Sequence, residues 1–121
     1  MPDKETTVAL VAEQLSLIQD ALCLSALRGL LVDPYPVLRD WDYGEAGQQF
    51  VCWTVMEHRS SNTGIAYCDE GFGPSDPWGL VFLSGTHTSI GMDSGWYRTL
   101  EDAFRESMAW EAGNPPNYEI L

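Results

Sequence analysis

The sequence predicts an α+β fold in a single domain, with an N-terminal helix, a four-stranded antiparallel meander and a C-terminal helix. Three observations lead to this prediction: apolar residues recur at helical spacing near the start, short alternating runs fill the middle, and a capped helical face follows near the end. A chain of 121 residues fits one domain, so we expect residues 1–121 to form one compact unit.

The first predicted element is a helix over residues 7–31, with Asp3 or Thr6 as its N-cap. Pro34 and Pro36 exclude a continuing helix, because proline lacks an amide donor and disfavours helical geometry in the residue before it. The helix has more apolar surface than a small sheet usually covers. It is therefore either deeply buried or the seam of a homodimer, through a face made of Val8, Val11, Leu15, Ile18 and Leu22.

Four short runs predict the meander. Residues 50–57 alternate with a period of two and predict a strand that is covered on both faces. The turn residues at 59–64 connect it to a second strand at 65–68, which we expect to pair antiparallel with the first. Two further runs, 80–83 and 89–92, flank a polar turn and complete the sheet.

The last predicted element is a helix over residues 100–111. Thr99 provides a capping hydroxyl, and Glu101 and Asp102 place negative charge in the first turn, where the helix dipole favours it. Gly113 and the prolines that follow it end the helix.

The charge balance restricts the class of partner. Eighteen carboxylates against six basic side chains give a formal net charge of -12, which repels nucleic acid and anionic lipid and attracts basic proteins. The hydrophobic fraction of 45% nevertheless predicts a folded chain. Because there is no basic leader and no apolar run of about 20 residues, we expect a cytoplasmic protein that does not enter membranes.

The cysteines and histidines predict neither a metal site nor a cofactor. Cys23, Cys52 and Cys68 are an odd number without CxxC spacing, so we interpret them as reduced thiols that pack among apolar neighbours. Together with the two histidines they match no zinc-ligand spacing. Gly71 and Gly73 lack the rest of a dinucleotide-binding fingerprint and are better explained by the shape of the backbone.

The segment from 68 to 79 is the strongest candidate for a binding surface. It combines carboxylates and large aromatic residues with glycines and prolines that fix its shape, which is typical of protein-binding loops. A second segment, 93–97, is expected at the same end of the sheet. For both segments the alternative to a binding surface is that their aromatic side chains pack onto the core. The candidate partner-binding residues are Asp69, Glu70, Phe72, Asp76, Trp78, Asp93 and Trp96.

No motif identifies a reaction, and we expect a protein without enzymatic activity. Asp69, Glu70 and Asp93 are candidates for an acid and base pair, but such pairs arise by chance in so acidic a chain. Cys52 or Cys68 with His58 or His87 is the only combination of a thiol with an imidazole, and no local signature supports it. Cysteines in apolar strands are usually packing residues.

These observations favour a small acidic domain that binds and neutralises a basic protein, in the way that a bacterial immunity protein binds its toxin. One alternative is a secretion-type chaperone or assembly protein that uses the apolar helix as a dimer seam or peptide groove. A second alternative is a small-ligand-binding protein, or a hydrolase that uses the loop carboxylates.

Overall fold

The fold class is confirmed, because the chain combines α-helices with one antiparallel sheet. The computed structural model describes residues 3–85, 88–90, 95–116 and 118. Over these residues the elements, in chain order, are α1 (Lys4–Leu17), α2 (Ala21–Arg28), β1 (Leu31–Asp40), β2 (Gln49–His58), β3 (Thr63–Tyr67), β4 (Trp78–Phe82), β5 (Trp96–Tyr97) and α3 (Leu100–Arg105).

Two helices replace the single N-terminal helix of the prediction. Asp3 caps α1, as expected, by accepting a hydrogen bond from the backbone of Thr6 at 2.8 Å. At Ile18 the backbone becomes extended, and Asp20 then caps α2 by accepting from the amides of Leu22 and Cys23. A continuous helix is wrong here because an aspartate in this position stabilises a new helix start.

The break in the helix also divides the predicted dimer face. Val11 and Ile18 are buried in the chain's own core, whereas Val8 and Leu22 are 46% and 63% exposed. Leu15 packs partly against the same core. The five residues therefore do not form one continuous surface, because Val11, Leu15 and Ile18 pack in the chain's own core.

The sheet gains a first strand that the sequence did not predict. In the described part of the chain the strands follow the order β1-β2-β3-β4-β5, with antiparallel neighbours, so the sheet has five strands instead of four. β1 contains Pro34 and Pro36, which the prediction interpreted only as the end of the first helix. Prolines are tolerated on an edge strand because the missing amide faces away from the neighbouring strand.

Three of the predicted strands, β2, β3 and β4, are confirmed with small changes at their ends. The fourth is not, because Ser89 lies outside regular structure and Ile90 makes only an isolated parallel bridge to Trp41. The rest of the predicted strand, 91–92, lies outside the described residues. The strand that pairs with β4 is β5, at Trp96–Tyr97.

The C-terminal helix starts where the sequence predicts and ends earlier. The hydroxyl of Thr99 accepts a hydrogen bond from the amide of Asp102 at 3.1 Å. The α-helix ends at Arg105 instead of residue 111, and turns follow it. Leu100 is further fixed by its amide, which donates to the side chain of Gln14 on α1 at 3.0 Å.

The sheet separates two groups of buried side chains. Since successive residues of a strand point to opposite faces, Ile65 and Tyr67 join one group while Ala66 joins the other. The larger group packs against the helices and includes Val11, Leu27, Met56, Trp78, Leu100 and Phe104. The smaller group, the second core, is Cys52, Ala66, Cys68, Val81 and Ile90, with Trp41, Phe50 and Trp96 packed against it.

A search of the described residues for helices that are long and apolar enough to cross a bilayer finds none.

Candidate functional site

The loop between β3 and β4 has a defined shape held by its own backbone. At its base the amide of Cys68 donates to the carbonyl of Pro77 at 2.9 Å. Within it the amide of Gly73 donates to Glu70 at 3.1 Å, and that of Asp76 donates to Phe72 at 3.2 Å. These bonds fix the positions at which the loop presents its side chains.

Gly71 shows why the loop requires a glycine where it crosses Trp41. Its φ of +67° is unfavourable for other residues. A Cβ atom at this position would also lie only 3.0 Å from the Trp41 ring. The loop backbone therefore lies directly on the indole, which brings two distant segments of the chain together.

The contact joins five aromatic rings, which we call the aromatic cluster. Phe72 packs edge-on against Trp41, with ring centroids 5.1 Å apart, and lies 6.0 Å from both Tyr43 and Trp96. Trp41 also contacts Tyr43 at 5.3 Å and Phe50 at 5.5 Å. Such pairs contribute about 0.5–1.5 kcal/mol each beyond the area that they bury. The rings therefore support one another, while Tyr43 stays 58% exposed.

Carboxylates accompany the aromatic cluster on two loops, the one between β1 and β2 and the one between β3 and β4. Residues 41–50 and 69–77 contain no lysine and no arginine, and the whole segment from 60 to 97 contains neither. We call the carboxylates of the two loops the acidic group: Asp42, Glu45, Asp69, Glu70 and Asp76. Asp42 and Glu45 are exposed and the other three are half-buried. The local field is thus negative beside an exposed ring.

The structure brings together most of the residues that the sequence indicated, with two exceptions. Phe72 and Trp96 join the aromatic cluster, and Asp69, Glu70 and Asp76 lie on the loop that carries Phe72. Trp78 is only 2% exposed and packs in the larger core against Tyr67, so it does not belong to this surface. Asp93 lies outside the described residues.

The sequence prediction missed three rings of the aromatic cluster: Phe50, which lies on β2, and Trp41 and Tyr43. Trp41 and Tyr43 belong to a turn-rich acidic stretch, 41–47, that shares its composition of aromatic, acidic and glycine residues with the loop at 69–77. That shared composition was the feature of the sequence that could have marked 41–47 as a second candidate binding segment. The two loops lie close together because β2 pairs with both β1 and β3. In addition, Trp41 packs on the second core at one face of the sheet, and Phe72 packs on Trp41.

Gly79 is the position where a side chain would most directly disturb the aromatic cluster. A Cβ atom there would lie 2.4 Å from the Trp96 ring, so we expect Gly79→Ala to displace that ring and lower the free energy of unfolding by about 1–3 kcal/mol. Urea denaturation followed by circular dichroism measures this. Gly29→Ala is the matched control, since its nearest contact is an ordinary 3.6 Å. Equal stability of the two variants would contradict the packing of Trp96 on Gly79.

The candidate thiols and His58 lie in different surroundings. His58 makes hydrogen bonds with two serines, at 2.6 Å to Ser61 and 3.3 Å to Ser60. Cys52 and Cys68 are buried instead in the second core. The described residues also contain no group of three or more His, Cys, Asp or Glu side chains that could hold a metal ion. His87 lies outside them.

Comparison of the chain with protein-family models, with curated proteins and with solved structures gives no significant match. The function must therefore be inferred from the site itself.

Proposed function

We propose that the protein binds a basic protein through the aromatic cluster and the acidic group and neutralises it, as a bacterial immunity protein does with its toxin. One observation carries the proposal: an exposed tyrosine lies on a packed group of rings, on loops that have five carboxylates and no lysine or arginine. Aromatic side chains that become buried when the partner binds, with complementary charge around them, are the usual source of affinity at protein–protein interfaces.

The two parts of the surface have different tasks. Tyr43 and Phe72 offer ring area that is already held in place, so that little side-chain entropy is lost when a partner covers it. The carboxylates attract a basic surface from a distance, which raises association rates by roughly 10 to 1000-fold at low salt. The affinity would then depend mainly on the aromatic rings, and the association rate mainly on the carboxylates.

Trp78 has no part in this proposal, since its ring is enclosed by the core. Trp96 contributes by supporting Phe72, at a centroid distance of 6.0 Å. The role of Asp93 in steering the partner stays a prediction from the sequence. The homodimer stays a prediction too, and static light scattering at micromolar concentration tests it directly.

The test begins by capturing basic proteins from the source cell with the immobilised chain, identifying one and purifying it. We expect the triple variant Asp69→Asn, Glu70→Gln and Asp76→Asn to associate with that partner roughly tenfold more slowly at low salt. The dependence of the association rate on salt should also become shallower. Stopped-flow fluorescence or surface plasmon resonance at several salt concentrations measures both effects.

A second triple variant, Glu5→Gln, Glu13→Gln and Glu111→Gln, is the matched control. It removes the same charge from exposed positions outside the two loops, so its association rate should stay close to that of the wild type. Equal rates for the two triple variants would show that total charge and not this surface attracts the partner. Neutralisation is tested separately, by asking whether co-expression of the chain restores the growth of cells that produce the partner.

A further inference from the structure

Cys52 on β2 and Cys68, one residue past the end of β3, lie opposite each other in the sheet. Trp53 pairs with Tyr67 and Thr54 with Ala66, and the next step of this antiparallel register brings the two cysteines together. Cα atoms of directly opposite residues are about 4.5–5.5 Å apart, which falls within the range of about 4.4–6.8 Å found in disulfides. The expected Cα spacing of this pair therefore falls within the range that a bridge tolerates.

The two thiols share one environment in the second core. Cys52 and Cys68 are 0% and 1% exposed and belong to the same packed group. Their sulfur atoms lie 3.9 Å from the carbonyl oxygen of Phe50 and 3.7 Å from that of Glu70, respectively. Because both side chains point to the same face of the sheet, the sulfur atoms can react with each other without any change in strand register.

The electrostatics distinguish the two sulfur atoms. The neighbouring thiol of Cys68 raises the pKa of Cys52, and burial raises it further. The neighbouring thiol of Cys52 lowers the pKa of Cys68 and outweighs the opposing effect of its burial. The buried guanidinium of Arg39 acts on Cys52 in the direction that favours negative charge. Cys68 is thus the better nucleophile of the two, and Cys52 is held as a thiol beside it.

We propose that Cys52 and Cys68 form a reversible disulfide when the folded protein meets a two-electron oxidant of the peroxide class. The Cys68 thiolate attacks one peroxide oxygen, the O–O bond breaks, and Cys68 becomes a sulfenic acid. The other oxygen leaves as hydroxide, which takes up the proton that the Cys68 thiol released and becomes water. The Cys52 sulfur then attacks the Cys68 sulfur, its proton goes to the departing hydroxyl, and a second water leaves. Each sulfur loses one electron and the peroxide gains two. This inference does not depend on the proposed function.

The geometry predicts that the bridge is easily reduced. Directly opposite Cβ atoms lie about 4.5–5.5 Å apart, whereas disulfides place them at about 3.8 Å on average, so the two strands must approach each other. The strain that results favours the reduced form, as in disulfides that form and break in response to redox conditions. A small thiol reductant should therefore restore both thiols.

The chain provides a convenient test, because its three cysteines fall in three tryptic peptides: 5–28, 40–59 and 60–98. The folded protein is treated with hydrogen peroxide, denatured with an alkylating agent present, digested and analysed by mass spectrometry. We expect a linked pair of the peptides 40–59 and 60–98, lighter by two hydrogen atoms than their sum. Dithiothreitol added before alkylation should abolish it.

Cys23 is the internal control. It is buried in the larger core, where desolvation raises the pKa of its thiol to about 11, so it should remain a thiol and be alkylated in full. The variant Cys23→Ala should still form the link, and Cys68→Ser should not. Links that involve Cys23 as often as the other two would mean that only unfolded chains react. That result, or full alkylation of Cys52 and Cys68 after peroxide treatment, would overturn the proposal.

Discussion

Replacing Trp78 by Ala is expected to lower the free energy of unfolding by about 3–5 kcal/mol, a large part of the stability of a domain of this size. The ring is 2% exposed and packs edge-on against Tyr67, with centroids 4.9 Å apart. Removing it leaves a cavity between the sheet and the helices that its neighbours can fill only in part. Urea denaturation followed by far-UV circular dichroism measures the loss.

Phe82→Ala is the matched control for this variant. Phe82 lies on the same strand as Trp78 but is 43% exposed, so its truncation should cost less than about 1 kcal/mol. If the two variants were equally stable, Trp78 would not be a core residue. The sequence-based hypothesis that Trp78 contacts the partner would then be favoured again.

Trp78 also shows why the sequence alone did not separate the core from the candidate site. The prediction started the strand at residue 80, which left Trp78 in the preceding loop. The strand in fact starts at Trp78, so the alternation of side chains puts it on the same face as Leu80, towards the helices. An error of two residues at a strand end, which is the least certain part of such a prediction, changed a core residue into a surface one.

The N-terminal region shows the same limit of local patterns. The apolar spacing continues from Ile18 to Leu22, so periodicity favours one helix, although Asp20 is a good start for a second. The proline pair in β1 correctly excluded a helix. Whether such a segment becomes a loop or an edge strand depends on its position in the sheet, which is a property of the whole fold.

The candidate site was predictable in composition but not in assembly. The sequence singled out Phe72 and the carboxylates near it, because acidic and aromatic residues alternate there with glycine and proline. The composition that the stretches 41–47 and 69–77 share did not show that Trp41 and Tyr43 would contact Phe72, some thirty residues away. That contact depends on long-range pairing and on a glycine whose backbone lies against the Trp41 ring.

The second large effect is expected at Arg105, which joins α2, α3 and the C-terminal segment. Its side chain is 1% exposed and donates hydrogen bonds to Glu101, Asp20 and Asn114. The guanidinium also lies 4.4 Å from the Tyr118 ring centroid. We expect Arg105→Met to lower the free energy of unfolding by about 3 kcal/mol, as measured by urea denaturation.

This value is at the low end for breaking a buried ion pair, because the two carboxylates that remain keep some contact with water. The side chains of Asp20 and Glu101 are 34% and 20% exposed, so part of their charge is solvated once the guanidinium is gone. Arg105→Lys should lie between the wild type and Arg105→Met, because lysine keeps the charge but not the planar group of donors. A methionine variant as stable as the wild type would show that the network only fixes the geometry.

Acid titration gives an independent reading of the same network. Hydrogen bonds from the Cys23 amide and from Arg105 hold the pKa of Asp20 below its ordinary value of 3.8. A carboxylate with a depressed pKa stabilises the fold above that ordinary value, and the contribution disappears as the pH falls through the lower, folded-state pKa. The wild type should therefore lose stability below about pH 4, and Arg105→Met should lose less over that interval. If the variant lost as much stability as the wild type below about pH 4, the hydrogen bonds from the backbone amides alone would determine the pKa of Asp20.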